Sequence, residues 1–69
     1  MTTTAQLIPK QLEAFKLEIQ HLKGAPATDD NRREGKQIIY HHMSRLQLLD
    51  LNLNQEQARA ILANAYRQI

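Results

Sequence analysis

The side chains best suited to metal binding or nucleophilic catalysis in this chain are its three histidines and its single serine, because cysteine is absent. His41 and His42 are neighbours, so on a helix their side chains diverge by about 100° and do not ligate one ion together. Glu18 and His21 have the Glu-x-x-His spacing of carboxylate di-iron bundles, but such bundles need two of these motifs and this chain has one. We expect no metal site and no cofactor, and a semi-buried, hydrogen-bonding role for His42.

Nucleophilic catalysis would depend on Ser44, which follows His41 by three residues. The acidic residues are too dispersed to complete a triad, and the chain contains no glycine-rich phosphate loop or nucleophile elbow. The sequence therefore predicts a protein that is not an enzyme.

These side chains must be positioned by one small domain spanning residues 1–69, of which 42% are hydrophobic and 23% charged. That composition is typical of a folded domain rather than a disordered tail. No apolar run is long enough to cross a membrane, and we expect no secretory signal. We expect a cytoplasmic or otherwise intracellular protein, with the nucleoid and the nucleus both open as locations.

Apolar residues recur at helical spacing in three segments, and no segment alternates as a strand would. The predicted fold class is all-α, a small three-helix unit with helices over about 8–23, 31–50 and 55–68. Residues 1–6 lack periodicity and predict a frayed, disordered N-terminus. The clearest stripe consists of Ile8, Leu12, Phe15, Ile19 and Leu22.

Capping residues predict where the helices begin and end. Pro9 suits a first helical turn, and Gly24 suits a left-handed C-cap. Residues 25–35 predict a connecting loop with Asn31 as an N-cap candidate, and Gly35 would weaken a helix there by about 1 kcal/mol. A capping box at the start of the third helix is predicted by Asn54 and Gln57.

The placement of positive charge bears most directly on function. The net charge is only +2, but Arg32, Arg33 and Lys36 cluster near the start of the second helix, where the helix dipole disfavours cations. The alternative is a solvated face neutralised by the acidic neighbours Asp29, Asp30 and Glu34.

We expect a small non-enzymatic regulatory protein that binds a larger protein machine by steric or competitive occupation. Apolar anchors would supply affinity, and the cations would steer the protein towards an acidic surface of its partner. By analogy with small viral and bacterial regulators, the expected partner belongs to the transcription apparatus, such as RNA polymerase or a transcription factor. The predicted contacts are Arg32, Arg33, Lys36, Tyr40, Lys10 and Leu17.

Two other functions remain open. The second and third helices resemble a helix-turn-helix, and DNA would then be contacted by Gln55, Gln57, Arg59 and Asn64. A structural homodimer would instead bury the apolar residues that fall off the main stripes, which are Leu7, Leu17, Tyr40, Leu48 and Leu51. The partner is thus predicted as protein, with nucleic acid or a second copy as alternatives and no membrane.

Part of the first predicted helix shares residue order and spacing with a known motif, at Pro9, Gln11, Leu12, Phe15, Lys16, Ile19 and Lys23. In these positions it resembles the QLQ motif of chromatin-remodelling ATPases and plant growth-regulating factors, a helical protein-interaction element. Glu18 stands in place of the motif's second glutamine, and Leu22 in place of its aromatic residue. The resemblance implies a protein-binding helix and assigns no site residues.

Overall fold

The computed structural model describes residues 4–69, and over that range it contains three α-helices and no strand. Helix α1 spans Thr4–Ile19 and continues into a single 3₁₀ turn, Gln20–Leu22. Helix α2 spans Asp29–Leu49, and helix α3 spans Gln55–Arg67. The predicted all-α, three-helix fold is confirmed.

Helix α1 begins earlier than the sequence predicts. Of the segment 1–6, residues 1–3 lie outside the described residues, whereas 4–6 belong to the helix. Pro9 is consequently inside α1 rather than in its first turn, and it forfeits only one backbone hydrogen bond. Because Leu7 and Ile8 are half-buried, packing against the bundle favours the helical conformation in this segment.

Helix α2 also begins earlier than predicted, so the loop over 25–35 is shorter than expected. The N-cap is Thr28, not Asn31, because Thr28 Oγ1 accepts a hydrogen bond from the Asn31 backbone N–H at 3.2 Å. The Asn31 side chain donates to the Pro26 carbonyl at 2.8 Å. Gly35 therefore lies within a continuous helix.

The other predicted helix ends are close to those observed. Asn54 and Gln57 form the reciprocal capping box, with bonds of 2.8 Å and 3.0 Å. Gly24 adopts φ +81°, the left-handed conformation expected of a C-cap glycine. Helix α3 ends at Arg67, one residue before the predicted end, and Ile69 lies beyond the helix and is exposed.

The three helices pack as an up-down-up bundle. His21, after α1, bonds Glu34 in the first half of α2 at 3.0 Å, so α1 and α2 are antiparallel. Lys23 Nζ donates to the carbonyl of Tyr66 at 3.1 Å, which places the end of α3 beside the end of α1. Within residues 6–69 the buried hydrophobic residues recur at helical spacing in each helix, and they are Phe15, Ile19, Met43, Leu46, Ala58, Leu62 and Ala65.

None of the helices in the described part of the chain is both long enough and apolar enough to span a membrane.

Candidate functional site

A groove between α2 and α3 brings together residues that the sequence assigns to two different functions. Its lining includes Lys36 and Tyr40, predicted to bind protein, and Gln55 and Arg59, predicted to contact DNA. The cavity measures about 190 Å³. We call it the α2–α3 groove, and its other lining residues are Ile39, Met43 and Glu56.

Helical spacing explains why these side chains share one groove. Lys36, Tyr40 and Met43 are three to four residues apart and therefore follow one side of α2. Met43 is buried in the core, which fixes the rotation of α2 about its axis. Tyr40 lies beside Met43 on the surface of the helix, closer to solvent, and keeps 58% of its surface exposed. The groove thus has an apolar floor and an exposed aromatic rim.

A second, more apolar cavity of about 320 Å³ adjoins the groove, and we call it the end pocket. Ile39 and Arg59 line both cavities, so the two lie side by side along α2 and α3. The end pocket lies where the end of α1, the first half of α2 and the second half of α3 meet. Its remaining lining residues are Phe15, Ile19, Leu22, Asn31, Gly35, Leu62, Ala63 and Tyr66.

The cations around these cavities form no direct ion pair with an acidic side chain in the described residues. The contacts between carboxylates and basic side chains within residues 4–69 are an ion pair of Glu13 with Lys16 and hydrogen bonds of Glu34 with His21 and of Glu18 with His42. None of them involves Arg32, Arg33, Lys36 or Arg59. Glu34 pairs with His21, and Asp29 and Asp30 occupy the first turn of α2, where the helix dipole favours acids. Asp29, Asp30 and Glu34 therefore form no direct ion pair with Arg32, Arg33 or Lys36 in the described residues.

Arg32 and Arg33 extend the positive edge of the groove towards the start of α2. They precede Lys36 by four and three residues, so they lie one turn away on the same side of the helix. Both side chains are exposed. At the same end of the bundle, Lys23 Nζ lies 4.8 Å from the centre of the Tyr66 ring and makes a cation–π contact. Positive charge therefore borders the groove and the end pocket, with Glu56 as the acidic residue in their linings.

Two predicted protein contacts lie elsewhere. Lys10 and Leu17 are seven residues apart on the exposed side of α1, and neither lines the groove or the end pocket. Leu17 is 67% exposed. Lys10 and Leu17 therefore lie on a different surface from Lys36 and Tyr40.

The four predicted DNA contacts do not share one face of α3. Gln55 and Arg59 point into the α2–α3 groove. The Gln57 side-chain oxygen accepts the Asn54 backbone N–H at 3.0 Å in the capping box. Asn64 lines a cavity on the opposite side of α3, against α1.

His42 lies in a polar seam between α1 and α2, which we call the His42 seam. Only 1% of its surface is exposed, so it is fully buried rather than semi-buried as predicted. The Gln11 amide Nε2 lies 2.6 Å from Nδ1, and Glu18 Oε2 lies 2.9 Å from Nε2. If Gln11 donates to Nδ1, then Nε2–H donates to Glu18, as in neutral histidine. The Phe15 ring packs edge-on against the imidazole at a centroid distance of 5.4 Å.

The hydrogen bond with His42 lowers the pKa of the Glu18 carboxyl from its ordinary value of 4.5. Burial acts in the opposite direction, and the nearby positive charge of Arg45 adds a smaller lowering effect. Sequence reasoning missed Gln11 and Glu18 as the partners of His42. Their spacing of seven residues, on either side of buried Phe15, is the signal that both reach the same neighbouring helix.

His21, His41 and His42 contact three different side chains, Glu34, Arg45 and Glu18. Glu18 bonds His42 and His21 bonds Glu34, so the Glu-x-x-His pair does not converge. The part of the chain that the structure describes holds no group of three His, Cys, Asp or Glu side chains placed to bind a metal. His41 accepts a hydrogen bond from Arg45 Nε at 3.3 Å.

Comparisons with protein-family models, with curated proteins and with solved structures find no match to this chain. The resemblance of α1 to the QLQ motif is therefore not accompanied by a match to that family. The function is inferred below from the geometry and charge of the described residues.

Proposed function

We propose that this chain is a small, non-enzymatic binding protein that docks an acidic segment of a larger protein in its α2–α3 groove. The observation that carries the proposal is the convergence of Lys36, Tyr40 and Arg59 around one apolar-floored groove. Neither cation has an ion-pair partner among residues 4–69. Such cations are available to the carboxylates of a partner.

The residue types in the groove are those that carry binding energy in protein interfaces. Tyrosine and arginine are enriched among interface hot spots because each combines a large contact area with a polar group. Ile39 and Met43 provide an apolar floor beneath them. Lys36, Arg32 and Arg33 would accelerate encounter with an acidic surface and fix its orientation, and this contribution weakens as salt screens it.

Binding of this kind would regulate the partner by occupying a site that another molecule needs. The expected partner in the transcription apparatus, such as RNA polymerase or a transcription factor, stays a prediction from sequence. Lys10 and Leu17 would contribute only if the partner also reaches the exposed side of α1.

Site-specific photocrosslinking in cells of the source organism tests the proposal. A photoreactive phenylalanine analogue replaces Tyr40 and, as the matched control, Leu48, which is 76% exposed elsewhere on the same helix. We expect one protein to crosslink through position 40 and not through position 48, and the adduct to disappear when Lys36→Glu and Arg59→Glu are combined. Equal crosslinking at both positions, or an adduct indifferent to charge reversal, would contradict the proposal. Mass spectrometry of the adduct tests the transcription assignment.

The DNA-binding alternative keeps only Gln55 and Arg59 of its four contacts in the groove. A gel shift with nonspecific duplex DNA at low salt discriminates it, because phosphate contacts bind most tightly when salt is low. Retardation that Arg59→Glu removes would favour DNA, and an unretarded duplex would dismiss it.

The homodimer alternative would use the exposed leucines at the end of α2 and in the following turn. Leu48 is largely exposed, and Leu51 is 85% exposed. Light scattering over a range of protein concentrations tests this alternative. A dimer mass that Leu48→Ser and Leu51→Ser abolish would favour it, whereas a constant monomer mass would exclude it.

A further inference from the structure

Gly35 lines the end pocket from within helix α2, where a glycine is costly. Relative to alanine, glycine in a helix interior reduces stability by about 0.5–1 kcal/mol. A glycine inside a helix is normally required for one of two reasons. Either its backbone has a positive φ, or a neighbouring atom is too close to leave room for a Cβ atom. The first is absent, because Gly24 is the glycine with positive φ in the described chain.

Packing in the free protein does not require glycine at this position either. A Cβ atom built on Gly35 would meet Leu22 Cδ1 at 3.7 Å, which is ordinary van der Waals contact. An alanine would therefore fit without displacing its neighbours. The missing side chain has one evident structural consequence, which is to leave the end pocket open at Gly35.

The size and lining of the end pocket suit one large apolar side chain. An apolar cavity of about 150 Å³ is enough to hold benzene, and the end pocket measures about 320 Å³. Its walls include Phe15, Leu22, Leu62 and Tyr66. An aromatic or leucine side chain would thus be surrounded by carbon on several sides.

The positive charges near the opening of the end pocket indicate which residues of a partner would flank that apolar side chain. Arg59 lines both the end pocket and the α2–α3 groove, so a segment lying in the groove passes it on the way to the pocket. Lys36 lines the α2–α3 groove, and Lys23 lies over the ring of Tyr66, which lines the end pocket. These cations complement carboxylates placed on either side of an apolar anchor.

We infer that the end pocket binds one large apolar side chain of an acidic partner segment, and that Gly35 determines this specificity by keeping the pocket open. The inference rests on the proposed function, because it assumes that the same segment lies in the α2–α3 groove. The α2–α3 groove would favour partner segments with acidic residues, and the end pocket would favour segments with a large apolar side chain.

A phage-displayed library of random peptides, panned against the intact chain, tests this inference. We expect the enriched peptides to share one Trp, Phe or Leu with Asp or Glu close to it. Because the chain contains no tryptophan, the fluorescence of a Trp-containing peptide reports its own burial. Synthetic copies of the enriched peptides are then titrated into each variant.

Four variants separate the inference from the proposed function. Gly35→Leu fills the pocket and should weaken peptide binding about tenfold or more, since each tenfold corresponds to about 1.4 kcal/mol. Gly35→Ala should weaken it less while the protein stays folded. Ser44→Leu introduces a leucine at an exposed position of α2 outside both cavities and should leave peptide binding unchanged. The combined Lys36→Glu and Arg59→Glu variant should abolish the preference for acidic peptides.

Each outcome has a defined meaning. Peptides that bind Gly35→Leu as tightly as the wild type, yet are lost on charge reversal, would overturn the role of the end pocket and leave the proposed function intact. Peptides indifferent to charge reversal would overturn both. A library that yields no binder would overturn the inference, and a shift of the Gly35 amide resonance by free indole would then show that the pocket takes a small molecule instead.

Discussion

Helix α2 makes two very different contacts with its neighbours. On the α1 side, His42 is fully buried and both ring nitrogens have partners, Gln11 and Glu18. On the α3 side, Lys36 and Arg59 have no ion-pair partner within residues 4–69, and Tyr40 is largely exposed. Buried polar groups in folded proteins are nearly always hydrogen-bonded, whereas exposed cations without a partner are solvated. The contrast separates a seam that stabilises the fold from a groove that is available to a partner.

The largest effect on stability is expected from breaking the His42 seam. His42→Ala removes a buried ring and two hydrogen bonds, so we expect the free energy of unfolding to fall by about 2–4 kcal/mol. Urea denaturation followed by circular dichroism measures this loss. His41→Ala, at the exposed neighbouring position, is the matched control and should cost far less.

A domain below about 70–80 residues rarely has more than 3–5 kcal/mol of stability, so His42→Ala could unfold outright. Gln11→Ala then tests the same seam with an expected loss of about 1 kcal/mol. If both variants unfold at the wild-type urea concentration, the seam contributes nothing and the contrast between the two sides of α2 fails.

A smaller effect of opposite sign is expected from Gly35→Ala. The substitution removes the helix cost of glycine, and its Cβ atom fits beside Leu22, so stability should rise by about 0.5–1 kcal/mol. Thermal unfolding should shift upwards by several degrees. A decrease would show that the glycine is needed for packing, which removes the reason to assign it to a partner.

The pH dependence of stability should carry a contribution from Glu18. Its pKa is lowered in the folded protein by the hydrogen bond with His42, relative to the ordinary value of 4.5. Its contribution to stability is therefore present above pH 4.5 and is lost as the pH falls from there through the folded-state pKa. Because the carboxylate is half-exposed, we expect this contribution to be modest.

Urea titrations of the wild type and Glu18→Gln between about pH 3 and 6 measure this contribution. The wild type should lose more stability than the variant on acidification. Parallel pH profiles would show that the hydrogen bond between Glu18 and His42 has no influence on the pH dependence of folding.

The smallest effect on stability is expected at the rim of the groove. Tyr40 is largely exposed and outside the core, so Tyr40→Ala should change the free energy of unfolding by less than about 0.5 kcal/mol. The same urea titration measures it. A loss comparable to that of His42→Ala would mean that Tyr40 is structural, and the distinction between seam and groove would disappear.

The periodicity of the sequence was sufficient to predict three helices and the residues of the core. Stripes such as Phe15 with Ile19 encode burial within each helix, and local spacing encodes the Asn54 and Gln57 capping box. The start of α2 was misplaced because several polar residues near Thr28 are acceptable N-caps, and the intrinsic preference ranks asparagine above the threonine that caps the helix.

The candidate site was less predictable because it depends on contacts between helices. Lys36 and Arg59 are far apart in the sequence, and their meeting depends on how α2 and α3 are aligned by the connecting turn. The pairing of His42 with Gln11 depends in the same way on the alignment of α1 and α2. The apolar stripe of a helix shows which of its faces is buried. It does not show where a groove remains between two packed helices.

The central claim is tested most directly by measuring, for one crosslinked partner, its affinity for the wild type and for the combined Lys36→Glu and Arg59→Glu variant. The free energy of unfolding of both proteins is measured in parallel. We expect affinity to fall by about tenfold or more and its salt dependence to diminish, while the free energy of unfolding changes little. Unchanged affinity in a folded variant would contradict the assignment of the α2–α3 groove as the binding surface.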